Sequence, residues 1–188
     1  MQHKKLKLHP MQQAHVESCL ASCLSTLVQG IKGIGLTAEE EKKLLMDGSN
    51  VYRIDFAIGQ LIFIAQHHKL KVELLIDFKP YVDHLRKEKF PKSLKIKHLK
   101  INEISIKRLV KESPIIIYVD KFHLISKQDM LNRYHYPHYI IVSHFDKKVT
   151  ILDPWDGQEK ELTKKQFMKA VQDLKKRIGL SPRIIRIV

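Results

Sequence analysis

The sequence predicts an α+β fold in which N-terminal helices pack on an antiparallel sheet, and three observations carry that expectation. Helical periodicities come first along the chain and β-rich apolar runs come last. No βαβ rhythm and no internal repeat interrupts that order. The 188 residues are 44% hydrophobic and 29% charged, which supplies a core and excludes a disordered composition. With no Pro/Ser-rich linker, the chain is expected to be one domain over residues 1–188, with a helical half to about 113 and a sheet half from about 114.

Each element has a local reason. Leu20, Leu24, Leu27 and Val28 recur at helical spacing, with Ser18 as N-cap and Gly30 as a stop. Thr37 and Glu40 have the form of a capping box, and Gly48 should end that short helix. Asp55 can cap a more buried helix from Phe56 to about His68, apolar around most of its surface. Val72 to Ile76 reads as a strand, Pro80 to Lys89 as a short amphipathic helix, and Phe90 to Lys100 as basic and irregular. Glu103 to Lys111 is again helical. Pro114 opens the run Ile115 to Val119, a β-branched stretch suited to the middle of a sheet. After a long loop to Pro137, His138 to His144 and Val149 to Leu152 form a hairpin about Asp146-Lys147-Lys148, and Pro154 with Gly157 stops the second strand. A helix from Thr163 to Lys176 and a strand from Arg183 to Val188 close the chain.

Lys plus Arg is 34 against 20 for Asp plus Glu, a net charge of +14. The lysines are spread over the whole chain and are not interleaved with aromatic residues, whereas phosphate binding needs clustered charge, so nucleic acid is not an expected partner. No secretory h-region follows the basic start, and no run of about 20 apolar residues could cross a membrane. The two cysteines, Cys19 and Cys23, stand four apart on one helix, a geometry unsuited to a disulfide. They read as thiols in a reducing compartment, and the cytoplasm is the expected location.

The sharpest constellation joins three residue types. Cys19 sits just inside a helix start, where the dipole and unpaired amides favour a thiolate. His138 opens one strand of the hairpin and Asp153 closes the other, so the two ends lie side by side. An imidazole held by a carboxylate can then present its second nitrogen to a thiol. Gln13 upstream offers an amide donor for a developing oxyanion, with Gln12 as its neighbouring alternative. His135, His138 and His144 lack the ligand spacing of zinc sites, so no metal and no cofactor is expected.

At these residues the sequence resembles a known family. Gln13, Cys19 six residues on, and Ala21-Ser22-Cys23-Leu24 are similar to the opening of the bacteriocin-processing, double-glycine leader peptidases, which are papain-like cysteine peptidases. Pro137-His138-Tyr139-Ile140-Ile141-Val142 and Asp153-Pro154 resemble their second half. The resemblance implies a papain-like fold with Cys19 as nucleophile, His138 as general base, Asp153 as its orienting partner and Gln13 in the oxyanion hole. The second cysteine of the family, matched by Cys23, is not the nucleophile. The family places an acid directly before the nucleophile and a glycine directly after it; here Ser18 and Leu20 stand there, and a leucine at that place is expected to narrow the approach to the thiol. Trp155 and Tyr136, the latter at the end of the long loop, are expected to contact substrate.

The expected function is therefore a cysteine hydrolase, in first place a peptidase, working through an acyl-enzyme on a peptide or other acyl-bearing substrate. The alternatives are an acyltransferase or amide-bond-forming enzyme on the same fold, and a catalytically degenerate basic binding module for which Leu20 argues. Sequence gives no oligomeric state.

Overall fold

The computed structural model describes residues 6–15, 17–51, 55–124 and 134–188. Helix α1 (Cys19–Lys32) begins after Ser18, whose hydroxyl bonds the backbone of His15 instead of capping the helix amides. The helix runs through Gly30 and ends at Gly33, which takes the left-handed conformation (φ 77°) and returns its N–H to the Gln29 carbonyl. Gly30 has another reason to be glycine: a Cβ there would lie 2.5 Å from Leu8 Cδ2. Helix α2 (Ala38–Val51) opens on the expected Thr37–Glu40 capping box and continues past Gly48, which does not stop it. Helix α3 (Phe56–His67) is capped by Asp55, whose carboxylate accepts from the amides of Ala57 and Ile58.

Beyond these come β1 (Val72–Ile76), α4 (Lys79–Leu85), β2 (Leu94–His98), α5 (Glu103–Glu112), β3 (Ile115–Asp120), β4 (Pro137–Phe145), β5 (Lys148–Asp153), β6 (Gln158–Thr163), α6 (Lys164–Asp173) and β7 (Arg183–Ile187). One short 3-10 turn, Lys121–His123, follows β3, and a π-helical turn, Leu174–Ile178, extends α6. The long loop after the 3-10 turn lies outside the described residues from 125 to 133.

Among the described residues seven strands form one sheet in the order β2-β1-β7-β3-β4-β5-β6. Two of them, β1 and β2, come from the first 113 residues, so the sheet is not confined to the second half of the chain. The pairing is antiparallel except at one edge, where β1 and β2 run parallel, linked by the crossover through α4. The expected antiparallel sheet is present, and this edge pair is its exception among the described strands. β6 was not expected either: after Gly157 (φ 66°) turns the chain, residues 158–163 return antiparallel to β5 with Asp153 opposite Gln158 and Ile151 opposite Lys160.

Strand alternation divides the core into two layers. Ile116, Tyr139, Ile141, Leu152 and Ile185 face the cluster built on α1 and α3. Ile115, Ile117, Ile140, Val142, Ile151 and Ile184 face the opposite cluster, which α5 and α6 complete. Helices thus cover both faces, and α1 crosses the sheet beside β4, the strand that carries His138.

Candidate active site

Cys19 is the first residue of α1, where the amides of the opening turn have no intrahelical carbonyl to bond. The residue is 8% exposed, and its thiol shares a hydrogen bond with the His138 side chain and receives backbone hydrogen bonds at Tyr139 and Leu20. On β4, His138 follows the parity of Ile140 and Val142; on β5, Asp153 follows that of Val149 and Ile151. Both side chains therefore leave the sheet on the α5 and α6 side, and because they stand at the open end of the hairpin the His138 ring still meets the Cys19 thiol at the start of α1. Nε2 of His138 lies 2.8 Å from Oδ1 of Asp153, and both side chains are 1% exposed. This bond leaves Nδ1 as the ring nitrogen that meets the thiol.

Electrostatics follows from that geometry. Burial pushes the Cys19 thiol up, but the hydrogen bond and positive charge of His138, with the backbone donors, outweigh it and hold the thiol below its ordinary value. Burial alone would depress His138; its hydrogen bonds to Asp153 and Cys19 instead raise it to about 9. Burial likewise acts upward on Asp153, and the His138 hydrogen bond together with the positive charges of His138 and Lys160 brings it well below the usual carboxylate range. The contacts thus favour the thiolate over the thiol, the imidazolium over the imidazole and the carboxylate over the acid, each relative to its ordinary value. Cys23, one turn deeper, has no such support: burial pushes its thiol well up, and its Sγ sits 3.5 Å from the Tyr139 carbonyl. Both cysteines are free.

The Gln13 backbone is held at the turn after Asp153, its N–H donating to the Pro154 carbonyl at 2.7 Å. Its side-chain amide donates to the His15 carbonyl at 2.8 Å. Gln12 points elsewhere, toward the Trp155 carbonyl at 3.5 Å, and lies against Gly157, where a Cβ would come within 3.1 Å of it. Leu20 does not crowd the thiol from the solvent side: it is 1% exposed and belongs to the core cluster of α1 and α3.

Tyr136 stands partly exposed before β4, its phenol raised by burial and by the charge of Cys19, so it shares the thiol's surroundings. Trp155 is placed differently. Its N–H donates to Oδ1 of Asp153, its ring lies 2.8 Å from Nζ of Lys121, and with Lys121, Asp153 and Lys160 it lines a cavity of about 400 Å3. Neither Cys19 nor His138 is among the residues that line this cavity.

Two groups escaped the sequence reading. Lys160 of β6 bonds Oδ2 of Asp153 at 2.7 Å and Oδ2 of Asp156 at 2.6 Å. The signal was the Pro154/Gly157 turn, which reverses the chain into a polar strand instead of ending the sheet. Two further histidine–aspartate pairs, His123–Asp173 at 2.8 Å and His135–Asp120 at 2.6 Å, lie around the 3-10 turn. The donor atoms of Asp120, His123 and Asp173 gather within 4.8 Å, the grouping among the described residues with the donor types for a cation. His123 and Asp173 already bond each other, and Asp120 is taken up by His135 and the amides of Phe122 and Tyr136.

No protein-family profile matches the sequence, and no curated protein does. The fold does have solved counterparts. A double-glycine motif protease from an AMS/PCAT transporter, solved in complex with the leader peptide, superposes with a TM-score of 0.52 at 14% identity, over 100% of this chain and 95% of that one. The Pseudomonas avirulence protein AvrPphB superposes with a TM-score of 0.47 at 10% identity, over 97% of each chain. The chain shares the fold of that double-glycine motif protease, the kind of protein the sequence resemblance pointed to.

Proposed function

We propose that the protein is a cysteine hydrolase, a peptidase in first place, and that its 188 residues form one papain-like domain. The observation that supports this reading best is the buried chain of contacts from Cys19 through His138 to Asp153, with its thiol lowered and its imidazole raised. Thiolate Sγ of Cys19 attacks the substrate carbonyl carbon and a C–S bond forms. The oxyanion is met by the amides at the start of α1 and the Gln13 side chain. The His138 imidazolium gives its proton to the leaving amine as the C–N bond breaks, leaving a thioester. His138 then takes a proton from water, whose oxygen attacks the thioester and releases Cys19. Asp153 holds the ring in the orientation and charge state that both steps need.

A peptide is the favoured substrate class because the solved counterpart of the same fold was captured with a peptide. Tyr136 beside the thiol is the residue best placed to touch it, with Trp155 beyond Asp153. Among the described residues no helix is long and apolar enough to cross a membrane.

The test is the pH dependence of iodoacetamide labelling at Cys19, read by mass spectrometry. Rapid labelling near pH 6 that disappears in His138→Ala supports the thiolate–imidazolium pair. Labelling that begins only above about pH 8, as for an ordinary thiol, overturns it.

A further inference from the structure

We infer that Lys160 is a positioning residue of this site, acting through Asp153 to fix the carboxylate's orientation and the pH range over which the Cys19–His138 pair is charged; this rests on the hydrolase reading above. The geometry carries it. Each oxygen of Asp153 has its own partners: Oδ1 accepts from Nε2 of His138 at 2.8 Å and from the Trp155 amide at 3.0 Å, and Oδ2 accepts from Nζ of Lys160 at 2.7 Å. A rotation of the carboxylate about its Cβ–Cγ bond would break all three bonds together. Lys160 is itself held, since the same ammonium reaches Asp156 at 2.6 Å and its strand is paired to β5 with Lys160 opposite Ile151. Its side chain is 26% exposed, whereas that of Asp153 is 1% exposed, so the pair plugs the buried carboxylate from the solvent side.

The charge count gives the second consequence. Thiolate, imidazolium, carboxylate and ammonium sum to zero, with only the ammonium substantially open to water. The other titratable groups around it among the described residues include Cys23 of α1, Tyr118 of β3, Tyr136 and Tyr139 about the start of β4, Lys121 and His123 of the 3-10 turn, Asp156 in the turn before β6 and Glu161 of β6. Removing the Lys160 charge leaves the buried group one unit more negative. A more negative surrounding favours the protonated thiol and the protonated imidazole alike, so both pKa values rise. The charged window of the pair then moves upward in pH as a whole, by on the order of one unit for charges this close at a partly screened site.

The experiment compares the full-length wild type, Lys160→Met and Lys160→Arg in two measurements. In the pH profile of Cys19 labelling, Lys160→Met should shift the rise upward by about one pH unit, while Lys160→Arg, which restores charge and reach, should return it to the wild-type position. In a Cys19→Ala background, the His138 ring titration followed by NMR should shift upward in Lys160→Met and return in Lys160→Arg. Methionine variants that lose labelling amplitude with unmoved midpoints, or an arginine variant displaced as far as methionine, would overturn the inference. The ring titration needs no thiol, so it judges Lys160 even where wild-type Cys19 proves unreactive near pH 6, a result that removes the hydrolase reading instead.

Discussion

Nε2 of His138 and Oδ1 of Asp153 are 2.8 Å apart although 15 residues separate them in sequence, because β4 and β5 form a hairpin whose open end carries both. The contact decides which nitrogen faces the thiol and when the ring is charged. With His138 raised to about 9 and Cys19 lowered, the proposed thiolate–imidazolium pair would be charged between the two values. Hydrolysis of a peptide or activated ester should therefore rise as the thiol ionises, at a pH below that of an ordinary thiol, and fall above about pH 9, where His138 loses the proton required by the leaving group. A kcat/KM profile with its upper limb near 7 would contradict this assignment.

Asp153→Asn keeps the shape of the side chain but removes its charge. Hydrolysis should fall by on the order of 100-fold or more, with the upper limb moving down toward the ordinary imidazole range. Stability reports the same carboxylate. A depressed Asp stabilises the fold at pH values above its unfolded value of about 3.9, and that contribution is lost as pH falls through the lower folded value. Urea midpoints of wild type and Asp153→Asn should thus differ at pH 6 and converge toward pH 2.

Leu20 follows Cys19 directly in the chain, yet it packs inward among α1 and α3. Leu20→Ala should cost about 3 kcal/mol, the usual loss for emptying a buried leucine site, as read from urea unfolding. It should leave the rate of Cys19 labelling unchanged. A faster rate in the alanine variant would mean that Leu20 screens the thiol after all.

Asp55 lies far from Arg183 in sequence and joins the helical layer to the sheet. Its carboxylate caps α3, accepts the Tyr81 hydroxyl, and pairs with Nη1 of Arg183 at 2.6 Å. Asp55→Ala removes a helix cap and strands a mostly buried guanidinium, so a loss of about 3–5 kcal/mol is expected in urea or thermal unfolding. A change under 1 kcal/mol would show that the network is incidental.

What could be read in the sequence was local or strongly periodic. Asp55 bonds amides two and three residues on, and Thr37 bonds Glu40, so both caps are written in adjacent residues. The runs in β3, β4 and β5 are apolar enough to announce buried strands. Gly30 misled because its reason is distant: it admits Leu8, while the helix ends three residues later at Gly33. β6 was invisible because Gln-Glu-Lys-Glu-Leu-Thr has a single buried apolar residue, as an edge strand can. With β6 went Lys160, whose part depends on a register that only the folded sheet defines. The Cys19, His138 and Asp153 positions could be read because a helix start and a hairpin end are themselves local features.

Gln13 and Gln12 are adjacent, and the strap they form along the turn after β5 separates them. The Gln13 backbone is fixed to Pro154, one residue from Asp153, whereas the Gln12 amide is exposed and reaches only the Trp155 carbonyl. An oxyanion donor stabilises charge that exists only in the transition state, so its loss should lower kcat and leave the resting thiolate alone. Gln13→Ala should therefore reduce kcat by roughly 100-fold with an unchanged Cys19 labelling profile, and Gln12→Ala should change kcat by less than about threefold. The labelling profile is the control that matters. A Gln13→Ala variant that also loses low-pH labelling has disturbed the α1 start and the thiol itself, and reversed effects at the two positions would transfer the oxyanion role to Gln12.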